Sequence, residues 1–291
     1  IVGDYLFATW ASEYPYGQLA VLSLSDPLNP VHVLDFEYSS GTILRPGGIV
    51  AIGDVLLLAD PESGVYSIDV SNPLAPSVNT TLSSYGRERL AVSGNHVVGW
   101  GAGFLGFGVE TFDVTDPAAP SSVGGYSSWG NYVNAAVSGD TMILVGDGFE
   151  VVSLANPAMP ALLTTVPNWG TYIQSAIINE DLAYLGDETG VHVWDLSVPA
   201  TPVAGAVIAA PADRTDAAAL HTIGRGLELI QFTGLGRGLV LDLDTPTSPT
   251  LEHVFDLPVG TDTYDIATLA GGNHAISDFY SGLRTSDADQ H

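Results

Sequence analysis

A chain of 291 residues with 46 % hydrophobic content can bury a sizeable core, and no apolar run approaches the roughly 18 residues of a membrane-spanning helix. Its 33 acidic residues face only seven basic ones, all arginine, for a formal charge of −26. Such a surface repels nucleic acid and anionic membranes, so neither a nucleic-acid partner nor membrane insertion is expected. The absence of cysteine excludes disulfides and thiolate metal sites and leaves the redox compartment open.

In chain order, "IVG" (Ile1–Gly3) reads as the tail of a strand, followed by the strands "DYLFAT" and "LAVLSL" and then by "SLSDPLNP" (Ser23–Pro30). The same succession returns as "VLLLAD", "VYSIDV" and "DVSNPLAP" (Asp69–Pro76). The interval Arg89–Ser128 shows the whole unit: "RLAVS", a tight "GN" turn, "HVVGWG", a Gly-rich connection, "VETFDV", "DVTDPAAP" and "SSVGGYSS". Later copies carry "SLANPAMP" (Ser153–Pro160), "DLSVPATP" (Asp195–Pro202) and "DLDTPTSP" (Asp242–Pro249), and the last pair of strands is "HAISDF" and "GLRTSD". The first prolines of the motif, Pro27, Pro73, Pro117, Pro157, Pro199 and Pro246, lie 40–47 residues apart. Proline pre-sets φ for a turn, and Asp or Asn before it bonds the turning backbone, so each copy marks a strand end and a sharp reversal.

Four short strands per period of 40–50 residues describe a propeller blade. The second and third strand types each occur seven times, which predicts an all-β fold: a seven-bladed β-propeller of four-stranded antiparallel blades, forming a single domain over residues 1–291. Only "TDAAAL" reads weakly helical. The first and fourth strand types each occur six times, and in a ring the two missing strands would be consecutive. The expectation is that about 20 residues upstream of Ile1 supply them. No signal peptide is visible, and the chain reads as processed or trimmed.

The third-strand pattern, Leu/Val–x–Ile/Val–x–Asp followed by Val–Ser–Asn–Pro, resembles the LVIVD-repeat family of bacterial and archaeal surface proteins. Residues Val65–Pro76, "VYSIDVSNPLAP", carry the resemblance best; Ser23, Ser153, Val198 and Thr245 depart from it. The resemblance implies a secreted or cell-surface setting, or a periplasmic one, and brings no catalytic residues with it.

The motifs for chemistry are sparse. The seven histidines, His32, His96, His192, His221, His253, His274 and His291, form no close pair at metal-ligand spacing and are expected to be partly buried and bonded to backbone. Asp60, Asp147, Asp187 and Asp278 recur just after the second strand. Carboxylates repeated around a ring suit Ca²⁺, but carboxylates on separate blades suit tight turns better. "GWGAGFLGFG" (Gly99–Gly108) and "GLGRG" (Gly234–Gly238) lack the Lys–Ser/Thr end of a phosphate loop and read as flexible connections, the first exposing Phe104 and Phe107. No metal, cofactor or catalytic residue is expected.

Twelve of the 18 prolines belong to the repeated turns, at one end of the blades; the others fall at the opposite end. That opposite end also collects Arg45, Arg87, Arg89, Arg214 and Arg237, with Trp129, Tyr132, Trp169 and Tyr172 in related stretches such as "SWGNYV" and "NWGTYI". Arginine beside aromatics suits a carboxylate, a glycan or a protein hot spot. Equally, the arginines could neutralise nearby acids while the aromatics cap the channel. The expected function is a non-catalytic, secreted or cell-surface binding or assembly module, with a protein or a glycan/acidic ligand at this loop face. The alternatives are a propeller hydrolase or lyase working at the channel mouth, and a structural subunit of an extracellular assembly.

Overall fold

The computed structural model describes residues 1–11, 16–40, 47–83, 86–103, 106–209, 218–224, 227–232, 237–243, 245–256, 263–268, 274–278 and 282–286. Among these there is no helix, and therefore none long and apolar enough to cross a membrane. The chain divides into two compact units, Ile1–Val133 with Ser153–Ala161, and Asn134–Val152 with Leu162–His291.

All strands lie in antiparallel sheets whose order follows the chain. The first sheet holds β1 (Tyr5–Ala11), β2 (Tyr16–Ser23) and β3 (Val31–Ser40). The second holds β4 (Ile49–Ile52), β5 (Val55–Asp60), β6 (Gly64–Asp69) and β7 (Ser77–Leu82). The third holds β8 (Arg89–Ser93), β9 (His96–Gly103), β10 (Gly106–Asp113) and β11 (Ser121–Ser128). In the fourth are β12 (Tyr132–Ser138), β13 (Thr141–Gly146), β14 (Gly148–Ser153) and β15 (Ala161–Val166). The fifth contains β16 (Ser175–Asn179), β17 (Leu182–Asp187), β18 (Gly190–Asp195) and β19 (Val203–Ala209). The sixth contains β20 (Ala218–Gly224), β21 (Leu227–Phe232), β22 (Arg237–Asp242) and β23 (Thr250–Asp256); β24 (Thr263–Thr268), β25 (His274–Asp278) and β26 (Gly282–Ser286) make the last. Part of "TDAAAL" is strand after all: Ala218–Leu220 pair with Ile230–Phe232, and ladder bonding overrides the helix preference of alanine.

Period-two alternation explains why the sheets stack. On β5, Leu56 and Leu58 pack with Phe7, Leu19 and Val21 of the first sheet. Leu57 and Ala59, on the other face, pack with Leu90, Val97 and Phe112 of the third. In the second unit, Tyr184 of β17 meets Leu241 and Leu243, while Ala183 and Leu185 meet Ile143, Val145 and Phe149. A strand apolar on both faces needs a sheet on each side, and "VLLLAD" and "LAYLGD" encode that requirement.

The proline motif closes as a β-turn with proline in its second place. The N–H groups of Asn29, Ala75, Ala119, Met159, Thr201 and Ser248 donate to the carbonyls of Asp26, Asn72, Asp116, Asn156, Val198 and Thr245 at 2.8–3.1 Å. Val198 and Thr245 therefore close the turn without an Asp or Asn side chain. At the head of the motif the Oδ1 atoms of Asp69, Asp113 and Asp195 accept the N–H two residues on at 2.7–2.8 Å. Ser23 and Ser153 do the same at 3.4 and 3.3 Å.

Two features were not legible in the sequence. Where the third strand pairs with the fourth, the outer strand gains one residue in five sheets: Val21↔Leu34 is followed by Leu22↔His32, and equivalent slips follow Ser67, Thr111, His192 and Val240. A third-strand or second-strand hydroxyl also bonds a proline carbonyl of the next motif: Ser67 Oγ to Pro117 (2.7 Å), Thr111 Oγ1 to Pro157 (2.5 Å) and Tyr184 OH to Pro246 (3.0 Å).

The hairpins before the second strand turn on a left-handed residue: Gly3, Gly53, Gly94 and Gly139 at φ 52–58°, and Glu180 at φ 52°. Glu180 is exposed and carries a Cβ penalty that the glycines avoid. Replacing it, Glu180→Gly, is expected to raise unfolding free energy by about 0.5–1 kcal/mol after the greater entropy of the unfolded glycine chain is discounted. Urea denaturation of the two proteins measures the difference, and a less stable variant would contradict the strain argument.

Candidate functional site

The most developed polar site of the second unit lies where the loop from β15 to β16 meets the β17–β18 hairpin, the end of the sheet away from its proline turn. Asp187 ends β17. Its Oδ1 accepts the N–H of Thr189 (2.7 Å), the Thr189 hydroxyl (2.6 Å) and the N–H of Gly190 (3.2 Å), the turn role expected from sequence. Its Oδ2 reaches further, accepting Trp169 Nε1–H (3.1 Å) and the Thr171 hydroxyl (2.5 Å), with His192 Nε2 at 3.0 Å. The carboxylate is 0 % exposed. Burial alone pushes such a carboxyl up, but hydrogen bonds from His192, Thr171 and Thr189 outweigh it and hold Asp187 well below the usual carboxylate range.

The loop is held to deliver these donors. Gly170 N–H bonds Asn168 Oδ1, and Gly170 takes φ 106°, which turns the chain sharply at Trp169. Ile173 and Gln174 N–H groups then bond the carbonyls of Gly146 and Gly186, both at 2.9 Å. Trp169 stacks on Trp194 (centroids 5.8 Å, 27°), lies 5.1 Å from the His192 ring and rests edge-on against Phe149, as does Trp194. Beside them opens a groove of about 400 Å³ lined by Trp169, Trp194, His192, Pro167, Val207 and neighbouring small residues. Asn168 also lines it, and its amide reaches Asp147 Oδ1 at 3.4 Å.

Chemically this is a fixed aromatic and apolar wall backed by a sealed anion. His192 bonds side chains, Asp187 and Thr189 (3.0 Å), where a backbone partner was expected. The correction follows from the hairpin, which turns within three residues and returns His192 alongside Asp187. Both threonine hydroxyls are donated to Asp187, so neither is presented as a nucleophile activated by His192. Among the described residues no group of three or more His, Asp or Glu side chains could hold a metal ion.

The residues singled out in the sequence are distributed unevenly. Trp169 belongs to the site. Tyr172, three residues on, is partly buried; burial, and then the charge of Asp147, raises its phenol. Arg45 and Arg214 lie outside the described residues, and Arg237 opens β22 opposite Phe232 and Asp256. Arg87 is committed to the sheet, its Nε 3.6 Å from Glu110 Oε2 with the side chain largely buried; burial lowers its affinity for the proton and Glu110 opposes that. Arg89 stands exposed at the start of β8, opposite Trp100. Trp129 is 83 % exposed, while Tyr132 is buried edge-on to Phe107.

Arg87 and Tyr132 are not brought together. A Cβ on Gly108 would stand 2.4 Å from Arg87 Nη1, whereas the adjacent Phe107 turns its ring to Tyr132, so the two residues flank opposite faces of β10. The stretch Gly99–Gly108 is likewise corrected. Gly99–Gly103 ends β9 and Gly106–Gly108 begins β10, and Phe107 is buried rather than exposed. Glycine is needed because a Cβ at Gly101 would stand 2.2 Å from the Gly86 carbonyl. Phe104 lies outside the described residues. His192, Trp194, Thr171 and Thr189 were missed as site residues; the signal was "WGT" before "DETGVHVW", polar groups that only this repeat combines.

No family model matches the sequence, and no curated protein matches it either. Solved structures do. The chain is similar to a protein from Lactobacillus plantarum (12 % identity, TM-score 0.72, 98 % of this chain and 92 % of that one). It is also similar to the WD40 β-propeller domain of Doa1 (10 %, TM-score 0.70, 99 % and 90 %) and to the computationally designed Ika8 protein (11 %, TM-score 0.61, 98 % and 93 %). At such identities the likeness speaks for the fold alone: all-β, four-stranded antiparallel sheets of the β-propeller kind.

Proposed function

We propose that the chain is a seven-bladed β-propeller acting as a non-catalytic, secreted or cell-surface binding module, with its ligand at the groove beside Trp169, Trp194 and His192. The groove carries the reading: two stacked indoles, Trp169 held by Asp187 and Trp194 packed on it, flank an apolar concavity that runs from the β15–β16 loop along β18 and β19. The resemblance of "VYSIDVSNPLAP" to surface-protein repeats supports the extracellular placement, and the charge of −26 suits a solvated exterior. Since no arginine lines the groove among the described residues, a neutral or cationic ligand fits it better than the acidic one suggested by the arginine pattern.

A thermal-shift panel of glycans, small metabolites and peptides tests the reading. At least one compound should raise Tm by several degrees in the parent protein and fail to do so in Trp194→Ala, with Trp129→Ala unaffected. Loss in Trp129→Ala alone would move the site to the loop between β11 and β12. Turnover of ester or glycoside substrates, abolished by His192→Ala, would favour the enzyme.

One observation favours a structural subunit instead. Leu28, Leu74 and Met159, on proline turns of the first unit, are 41 %, 55 % and 72 % exposed. Sedimentation that shifts from oligomer to monomer in Leu74→Ser with Met159→Ser would support that reading.

A further inference from the structure

The groove has features that go beyond a generic apolar cleft. It is built within one unit from the β15–β16 loop, β18 and β19, and its walls include Val166, Pro167, Val193 and Val207, with few hydrogen-bonding groups. The indole of Trp169 donates its N–H to a fully buried carboxylate at 3.1 Å. A hydrogen bond to an anion pushes electron density into the donating ring, and a richer ring face attracts cations more strongly. The Asn168 amide reaches a second, solvent-exposed carboxylate, Asp147. The chain has no lysine, no arginine lines the site among the described residues, and the whole protein carries −26. Long-range attraction, the ring quadrupoles and the two neighbouring carboxylates therefore share one sign.

Resting on the groove as the binding site, we propose that it takes the quaternary ammonium group of a small soluble cation of the choline class. A primary ammonium or a guanidinium would bring N–H donors that these apolar walls cannot satisfy, and would lose its strong hydration on entry. A trimethylammonium group has no donors and is weakly hydrated, so aromatic faces and aliphatic walls can replace its water. Its few heavy atoms fit within the about 400 Å³ available. Asn168 and His192 are the polar residues among those that line the groove, where the hydroxyl or other polar end of such a ligand would lie.

Tryptophan fluorescence during titration with choline chloride, against equal sodium chloride, tests the proposal. Trp169 and Trp194 should report a saturable change with half-saturation in the range of about 1–10 mM. The neutral isostere 3,3-dimethyl-1-butanol should bind at least about tenfold more weakly. Val207 is 58 % exposed on β19, so its charge can be altered without touching the core. Val207→Arg should weaken choline about tenfold or more and Val207→Glu should not, while the isostere should not distinguish the two variants. Equal binding of choline and the isostere overturns the cation and leaves the groove as a site. Absence of any saturable response to choline overturns the proposal as well, and the Trp194→Ala panel then decides the groove separately. Insensitivity of choline to both Val207 variants would place its binding elsewhere.

Discussion

Replacing Asp187 by alanine is expected to lower the unfolding free energy by about 3 kcal/mol or more, because five neighbouring groups lose one shared acceptor. Thr189 N–H, Gly190 N–H, Trp169 Nε1–H and the hydroxyls of Thr171 and Thr189 all donate to this carboxylate. The methyl group of alanine would leave them facing a dry cavity. The β15–β16 loop should loosen first, since its indole N–H and its threonine hydroxyl are both anchored on this carboxylate. Denaturant unfolding followed by tryptophan fluorescence measures the loss. The pH dependence has a definite sign: a carboxyl held below its unfolded range contributes stability that is present above about pH 4 and is lost as pH falls towards the folded value. The gap between parent and Asp187→Ala should thus be constant near neutrality and shrink under acid. A gap that widened below pH 4 would contradict the network.

The opposite sign is expected at the corresponding place on β5. Asp60→Asn should raise stability at neutral pH by about 1–2 kcal/mol. Asp60 is also 0 % exposed, and its Oδ1 accepts Glu62 and Ser63 N–H at 2.9 Å. Its Oδ2, however, is buried with no hydrogen-bond partner among the described residues, as is the hydroxyl of Tyr38. Burial raises the Asp60 carboxyl, the two backbone bonds only partly offsetting it, and burial followed by the Asp60 charge raises the Tyr38 phenol. Asparagine keeps the accepting oxygen for the turn and removes the unpaired charge. Because the folded carboxyl titrates above the unfolded one, its contribution is intact below about pH 4 and declines as pH rises through the folded value. The advantage of Asp60→Asn should therefore vanish in acid and grow toward neutrality, the mirror image of Asp187→Ala. Loss of stability at pH 7 would show that the charge has a partner.

These two aspartates show where sequence reading reaches and where it stops. Their shared position after the second strand announced a turn, and both make it. Whether the second carboxylate oxygen finds donors depends on a loop some 16–18 residues upstream, and no local pattern encodes the fold of that loop. The strands, the proline turns and the doubly apolar second strand were legible because each is a local property of spacing and side-chain type. Arg87 was legible as basic but not as largely buried: its place over Gly108 follows from Gly99 and Gly101 on β9 and Gly108 on β10, which leave room for residues 86–88, a tertiary fit that composition alone read as flexibility. His192 and Trp194 went unnoticed because alternate residues of an ordinary strand become a site only when the neighbouring loop closes on them.

The hydroxyl-to-proline bonds, Ser67 to Pro117, Thr111 to Pro157 and Tyr184 to Pro246, bear on how such a chain can lengthen. Every joint of this type draws its donor from one repeat and its acceptor from the proline motif of the next. The third repeat carries both halves, offering the Pro117 carbonyl backward and the Thr111 hydroxyl forward. A tandem duplication of that stretch would arrive with matching fittings at both ends and need no compensating change in its neighbours. Gene duplication then alters the number of repeats in one step, and because the donor is a serine or threonine of the third strand in two joints and a tyrosine of the second strand in another, copies can diverge in sequence while the join survives.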